Sequence, residues 1–169
     1  MDKINHFSKV PENRTAVDNI LRVNHGNQMR LNLMADAKAN IMITVASVVF
    51  SIAIANLDNE LVKWPLLTFA FGCFFALLFA IFAIIPKTDY PKDGTGDIDR
   101  KSPLFNPLFF GHFAHLPIEE YKEDYAETLM TDDSVYDAMA GDIYGQGKVL
   151  ALRKYKFLKW SYMSFLLGM

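Results

Sequence analysis

The sequence predicts an all-α membrane protein, with a transmembrane helical hairpin, a helical cytoplasmic segment and a partial third transmembrane helix. Two apolar runs without charged residues, 39–57 and 64–86, are the main observation. Each approaches or exceeds the roughly 20 residues that a helix needs to cross a bilayer. Backbone groups in lipid must bond within their own segment, so each run is expected to be helical. The six residues between the runs, 58–63, are predicted to form a short external loop.

The distribution of basic residues predicts the orientation. Residues 1–38 carry six Lys and Arg side chains, the loop 58–63 carries one, and residues 87–159 carry ten. Because basic flanks remain in the cytoplasm, both ends of the hairpin are expected there. We therefore predict a cytoplasmic N-terminal helix (1–38), two spans (39–57 and 64–86), a cytoplasmic region (87–156) and the start of a third span (157–169).

The first helix is expected to begin near residue 14, after an irregular segment at 1–13. Val17, Ile20 and Leu21 share one helical face, and the polar stretch 24–28 then interrupts the apolar pattern. That stretch is either a polar seam or a local break, since Gly26 weakens a helix. The apolar pattern resumes beyond it, which predicts one long helix that leads into the first span.

Each predicted span carries a stripe of small residues at four-residue spacing. Such stripes let helix backbones approach closely in lipid, where no hydrophobic force drives association. We expect the two faces to pair. They consist of Ser47, Ser51 and Ala55 on the first span and Gly72, Ala76 and Ala80 on the second.

The cytoplasmic region combines a loop, an aromatic segment and two helices. Residues 86–103 are rich in Pro, Gly, Asp and Lys and read as a loop. Residues 104–116 hold four phenylalanines and are too short to span, so they lie at the membrane surface or fill a small core. A helix is expected from Ile118 to near Thr131. Asp133 is expected to cap a second helix that continues to the end of the chain.

Several function classes are excluded or disfavoured. A net charge of −2 argues against binding to DNA or RNA. The single cysteine excludes a disulfide framework and a cysteine zinc site. His112 and His115, with Glu119 and Glu120 nearby, amount to half a metal site, so neither a metal nor a cofactor is predicted. No nucleophile, acid and base occur in a recognisable order, and no enzyme activity or catalytic residue is predicted.

Three segments together resemble a known family. They are 33–42 (LMADAKANIM), 106–113 (NPLFFGHF) and 142–151 (DIYGQGKVLA). These segments and their order are similar to the transmembrane-type effectors of pyrimidine cyclase (Pycsar) antiphage systems, and the resemblance extends over about residues 20–169.

The resemblance implies a mechanism. A partner pyrimidine nucleotide cyclase would make cyclic CMP or cyclic UMP in response to phage. The effector, a multi-pass protein of the bacterial inner membrane, would bind this messenger on its cytoplasmic side. It would then impair the lipid bilayer and cause abortive infection. Oligomerisation is expected, because the cytoplasmic parts are too small for a large independent core.

A cyclic mononucleotide requires a cation or amide donors for its phosphate and an aromatic or apolar wall for its base. No glycine-rich phosphate loop of a known kind is present, so such a site would be assembled from separate residues. The candidate phosphate partners are Arg30, Lys38, Arg100, Arg153 and Lys154. The candidate base contacts are Asn106, Phe109 and Phe110.

Two other readings remain open. In the first, the chain is a membrane scaffold or adaptor that recruits a cytosolic enzyme through its acidic helices. Residues 119–142 hold nine acidic side chains and one basic one, Lys122. In the second, the chain is a holin-like lysis protein, although a holin needs little beyond its spans.

Overall fold

The computed structural model describes residues 15–86, 90–102 and 104–169, which are helices and loops with one isolated backbone bridge between Lys92 and Ile98. The all-helical class is therefore confirmed. Two of its helices, α1 (Thr15–Ala55) and α2 (Lys63–Ile84), are long and apolar enough to cross a membrane. The irregular segment predicted for 1–13 lies outside the described residues.

The chain divides into two compact units. We call the described residues 15–28, 90–102 and 104–147 the polar unit, and residues 29–86 and 148–169 the apolar unit. The polar unit contains the start of α1, the short helix α3 (Phe110–Phe113), α4 (Ile118–Thr128) and most of α5 (Asp132–Val149). The apolar unit contains the rest of α1, α2, a π-helical turn (Leu150–Lys154) and α6 (Tyr155–Gly168).

Helix α1 has 41 residues and runs through the polar stretch 24–28 without a break. Nothing lies within 4 Å of the position that a Cβ atom on Gly26 would take, so this glycine does not mark a close contact. At 1.5 Å per residue the helix is about 60 Å long, roughly twice the hydrocarbon thickness of a bilayer. Only part of α1 can therefore cross a membrane.

The closest helix pair in the apolar unit is α2 with α6. A Cβ atom on Gly72 would lie 2.6 Å from the Cα atom of Gly168, so both glycines are required for this approach. Nearby, the buried Ser161 hydroxyl donates a hydrogen bond of 2.7 Å to the backbone oxygen of Ala76. Small residues and an interhelical hydroxyl bond are the devices that hold helices together in lipid.

Helix α1 joins this core through a different face from the one that the sequence predicted. Met42 and Ala46 cluster with Cys73, Ala76 and Ala80, whereas Ser51 and Ala55 are exposed and Ser47 is half-buried. The predicted stripe of α2 thus meets α6 and the alanine-rich face of α1, and not the serine stripe. The physical reason is that Gly72 meets Gly168 on α6, where neither residue has a side chain that would separate the two backbones.

The predicted third span is not among the helices that meet the length and composition of a membrane crossing. Helix α6 contributes 14 residues to the described chain. It follows α5 and the π-helical turn as one continuous helical segment, as the sequence predicted. A third transmembrane helix remains a prediction.

The polar unit has an aromatic core built from the segment 104–116. Gly111, His112 and Tyr136 are buried, so this segment fills a small core as one of the two expectations stated. Helix α5 begins two residues earlier than predicted, at Asp132, and its cap is Thr131 and not Asp133. The Ser134 backbone N–H donates to the Thr131 hydroxyl at 3.2 Å, and the Thr131 backbone N–H donates to the Ser134 hydroxyl at 3.3 Å. These two bonds cap the first turn of α5.

Candidate functional site

The polar stretch of α1 meets α5 in a cluster of three polar side chains within the polar unit. His25 Nε2 lies 3.2 Å from Asp142 Oδ2. Gln146 donates a hydrogen bond of 2.7 Å from Nε2 to the same Asp142 oxygen, and its Nε2 lies 3.3 Å from His25 Nε2. Asp142 and Gln146 are four residues apart, which places them on one face of α5. We call these three residues the His25 cluster.

The electrostatics of the His25 cluster are set by burial. Asp142 is only 8% exposed, and this desolvation raises the pKa of its carboxyl above the ordinary value, against the opposing effects of His25 and the Gln146 bond. His25 keeps 40% of its side chain exposed. The cluster therefore presents a carboxyl group, an amide and a partly open imidazole that exchange hydrogen bonds, a combination more typical of functional sites than of cores.

On either side of the cluster, residues of α1 and α5 within the polar unit again lie close together. The phenol of the buried Tyr136 donates a hydrogen bond of 2.9 Å to Asp18 Oδ1. At the other end, a Cβ atom on Gly147 would lie 3.6 Å from Gln28 Nε2. The Gln28 Oε1 atom is buried and accepts no hydrogen bond from the described residues. The Tyr136–Asp18 bond thus joins α1 to α5 at one end of the cluster, and Gln28 lies beside Gly147 at the other.

Asn106 was predicted to contact a base. In the structure its side-chain amide and its backbone N–H all form hydrogen bonds with other residues of the polar unit. Its side-chain Nδ2 donates to the backbone oxygen of Ala138 at 2.9 Å, and its Oδ1 accepts from the Leu108 N–H at 2.9 Å. Its backbone N–H donates to His112 Nδ1 at 3.0 Å. Asn106 therefore ties the aromatic segment to α5.

Phe109 and Phe110, the predicted aromatic wall, lie together with ring centroids 5.1 Å apart. Phe109 sets its edge against His112, with centroids 4.9 Å apart. Phe110 is 56% exposed. Of the two rings, Phe110 is thus the one that remains open to a ligand.

Arg100 lies in the polar unit and is surrounded by carboxylates of α4. Its guanidinium bonds both oxygens of Asp124, at 2.7 to 3.2 Å, and reaches Glu120 at 3.1 Å and Glu123 at 3.5 Å. These partners raise the pKa of Arg100 above its ordinary value. The group predicted to bind phosphate instead neutralises part of the acidic helix.

The other predicted phosphate partners belong to the apolar unit. Lys154 pairs with Asp36 at 2.6 Å, and Lys38 lies 6.0 Å from the ring centroid of Tyr155. Arg30 is exposed and Arg153 is half-buried, and neither makes a hydrogen bond or ion pair with another described residue. The structure thus brings Lys38 and Lys154 to the same contact between α1 and the start of α6, and it leaves two guanidinium groups available.

His112 and His115, considered as half a metal site, have other contacts. His112 Nδ1 accepts the Asn106 bond, and the ring of His115 lies against Tyr90 with centroids 4.3 Å apart. Within 15–86, 90–102 and 104–169 no three His, Cys, Asp or Glu side chains gather closely enough to hold a metal ion.

Sequence reasoning did not find the His25 cluster. Two signals were available, the polar interruption at 24–28 and the spacing of Asp142 and Gln146. Because 121 residues separate Gln146 from His25 in the chain, neither signal indicated the other.

Comparison with protein families gives one result that bears on function. Residues 19–169 match the model of a family described as the Pycsar effector protein domain, PycTM. The matched range includes both units and all of the segments on which the resemblance rested. Among curated proteins and among solved structures, no match was found.

Proposed function

The chain belongs to the Pycsar effector domain family, which makes it an effector of antiphage defence, and from this premise we propose how it acts. We propose that it binds a cyclic pyrimidine mononucleotide, cyclic CMP or cyclic UMP, and in response impairs the bacterial inner membrane, which causes abortive infection.

The family match is the observation that carries the proposal, because it spans both a polar unit and an apolar unit. An effector that senses a water-soluble messenger and acts on a bilayer needs one part of each kind. The length and apolar composition of α1 and α2 fit the membrane-directed part. The polar unit is then the part that would receive the messenger.

The His25 cluster is the receiving site that we propose within the polar unit. The edge of a cytosine ring carries an amino donor, and the corresponding position of uracil carries a carbonyl acceptor. The Asp142 carboxyl and the Gln146 amide offer complementary groups. A base that bonded Asp142 would replace the Gln146 bond, so the Asp142 carboxyl would keep a partner and the released Gln146 amide would be free to bond the base. The exposed Phe110 ring is a proposed stacking surface for a base.

The phosphate of the messenger needs a cation, and Arg30 and Arg153 of the apolar unit remain separate proposals that we do not place at the His25 cluster. Their guanidinium groups make no hydrogen bond or ion pair with a described residue. Lys38, which lies against the ring of Tyr155, is a further proposed partner. Arg100, Lys154, Asn106 and Phe109 would each have to give up a contact before they could bind.

The proposal includes partners and placement. The functional partner in the system is a cyclase, as the family implies, and we propose that it is a pyrimidine nucleotide cyclase. We further propose that the chain crosses the inner membrane more than once with its N-terminus in the cytoplasm, and that it acts as a homo-oligomer.

The decisive experiment is a binding measurement on the detergent-solubilised chain. Cyclic CMP, cyclic UMP, cyclic AMP and cyclic GMP are compared at matched concentrations. We expect one pyrimidine nucleotide to bind selectively, with Asp142→Asn weakening binding and Asp137→Asn, on the exposed face of the same helix, leaving it unchanged. Failure of all four to bind would overturn the receptor mechanism, and a scaffold that recruits an enzyme would then explain the chain better.

A further inference from the structure

The charged residues of the apolar unit lie at its two ends, and the two ends differ in sign. Residues 29–38 and 148–159 carry seven Lys and Arg side chains and one acidic side chain, Asp36. The loop 58–63 carries two acidic side chains and one basic one, and the other residues of the unit are uncharged. One end of the apolar unit is therefore strongly cationic, and the other is slightly anionic.

At the cationic end, α1, α2 and α6 pack together. Ala39, Ala83 and Leu158 are buried in one cluster, with one residue from each helix. Just before this layer, the Lys154 ammonium lies 2.6 Å from Asp36 Oδ1. The one acidic group of this end is thus already neutralised, which leaves the other basic side chains in excess.

Two lysines and a tyrosine lie beside this ion pair with unused donors. Lys38 Nζ lies 6.0 Å from the ring centroid of Tyr155, and Lys159 follows Tyr155 by four residues, on the same face of α6. Both lysines are exposed. Neither ammonium pairs with a carboxylate of another described residue, and the Tyr155 hydroxyl makes no hydrogen bond to one. All three groups can donate to phosphate oxygens, and we call them the Lys38 site.

Exposed apolar side chains continue from both lysines toward the uncharged part of the unit. On α1, Ile41 and Val45 follow the lysine by three and seven residues and are 60% and 41% exposed. On α6, Tyr162 and Leu166 follow the lysine at the same spacing and are 39% and 63% exposed. This spacing keeps each pair on the face of its lysine. The site therefore has hydrogen-bond donors at one end and two apolar faces that lead away from them.

We propose that the Lys38 site binds an anionic phospholipid, an inference that rests on the membrane placement in the proposed function. The phosphate accepts hydrogen bonds from the two lysines and the tyrosine, and the acyl chains lie along the apolar faces. Lys38 is also a candidate partner of the messenger's phosphate, but a cyclic mononucleotide has no acyl chain to cover these faces. Each basic side chain near an anionic membrane surface strengthens the attraction about fivefold.

The test identifies the phospholipid beside the site in vesicles without nucleotide or phosphate buffer, so that a lipid headgroup is the only phosphate present. Trp64 and Trp160, the two tryptophans of the chain, are replaced by phenylalanine, and Tyr162→Trp supplies one fluorescent reporter. Phosphatidylglycerol or phosphatidylcholine with brominated acyl chains, which quench a tryptophan on contact, is titrated into phosphatidylcholine vesicles. Phosphatidylglycerol should bind beside the reporter at least about tenfold more tightly than phosphatidylcholine.

Substitutions then show which side chains select the lipid. Lys38→Gln and Lys159→Gln should each lower the preference about fivefold, whereas the two Lys→Arg replacements should retain it because the charge stays. The matched control is Lys63→Gln at the other end of the unit, where Lys63 pairs with Glu60, and it should leave the preference unchanged. A chain that keeps only Trp64 as its reporter should show no preference for phosphatidylglycerol.

Equal binding of the two lipids beside the Tyr162→Trp reporter would overturn the site. A preference that survives removal of both lysines, or that is equal beside Trp64, would overturn it as well. Absence of the chain from floated vesicles would overturn the membrane placement itself, and the site with it. Failure of the solubilised chain to bind any cyclic nucleotide would overturn the receptor function without altering the quenching, so the failures are distinguishable.

Discussion

Arg100 places one guanidinium among three carboxylates of α4, and this arrangement determines how the acidic segment folds. Asp124 receives the bidentate bond and is the least exposed of the three, with 14% of its side chain accessible. Charge-assisted bonds of this geometry are stronger than neutral ones. The loop that carries Arg100 is thereby attached to α4, and some of the mutual repulsion of the acidic side chains is relieved.

Replacing Arg100 should therefore destabilise the polar unit. We expect Arg100→Gln to lower the free energy of unfolding by roughly 1.5–3 kcal/mol, the range for hydrogen bonds to charged groups. Arg100→Lys should recover only part of this loss, because an ammonium cannot form the bidentate bond. Hydrogen exchange of the backbone amides in 118–128 measures the effect locally.

Lys122→Gln is the matched control, since Lys122 forms only an exposed pair with Glu119. Its effect should stay within about 0.5 kcal/mol. Equal protection of α4 in Arg100→Gln and Lys122→Gln would show that the Arg100 contacts do not stabilise this helix.

Asp142 should give the protein a measurable pH dependence. Its pKa is raised by burial, so the folded state holds this proton more tightly than the unfolded state. That stabilising contribution is complete below the unfolded pKa and is lost as the pH rises through the folded pKa. Asparagine has no proton to lose. The unfolding temperature of Asp142→Asn relative to wild type should therefore rise as the pH increases above about 4, the ordinary pKa of an aspartate.

The control for this effect is Asp137→Asn, an exposed carboxyl on the same helix. Its difference from wild type should remain flat over the same range. A difference for Asp142→Asn that stays constant, or that falls with rising pH, would mean that burial does not control this group.

The sequence contained the residue types of the site but not their partners. Lys154 and Arg100 were identified as cations, yet each is bound to a carboxylate, Lys154 to one 118 residues away in the chain. Pattern and charge show which residues can bind an anion. They do not show which helices meet, and therefore not which cations the fold has already neutralised.

At the scale of helices, the two apolar runs were predictable because each must satisfy its own backbone. The helices that pack against each run were not predictable from stripes of small residues, since each run carries more than one such stripe. The pairing of α2 with α6 depends on two single residues, Gly72 and Gly168. The face of α1 that packs against this core depends on alanines. In the sequence these alanines do not differ from the other small residues of the apolar run.

The α2–α6 contact predicts opposite effects for two glycine substitutions. A methyl group on Gly72 would meet backbone atoms of Gly168 and Ser164 at 2.6 and 2.9 Å, so Gly72→Ala should destabilise by about 1–3 kcal/mol. At Gly26 nothing lies within 4 Å, and Gly26→Ala should stabilise the middle of α1 by about 0.5–1 kcal/mol. Thermal unfolding in detergent compares the two. A Gly72→Ala variant as stable as wild type would mean that α2 and α6 pack less closely.

At the scale of the whole molecule, the chain forms two compact units, and the His25 cluster lies in the polar unit whereas the α2–α6 contact lies in the apolar unit. Helices α1 and α5 contribute residues to both. Under the proposed function, nucleotide binding and membrane damage should then be separable by mutation, because Asp142 and Gly72 belong to different units.

Mutations in the two units should differ in their effects on nucleotide binding and on membrane damage. Asp142→Asn, in the polar unit, should weaken binding of the cyclic pyrimidine nucleotide and with it the nucleotide-dependent release of dye from liposomes that contain the chain. Gly72→Leu, in the apolar unit, should abolish dye release while nucleotide binding persists, because a leucine cannot fit against the Gly168 backbone. Gly26→Leu is the matched control, since open space surrounds Gly26, and it should retain both activities. If Gly72→Leu lost binding as well, the messenger site would depend on the α2–α6 contact, and the assignment of binding to the polar unit would be wrong.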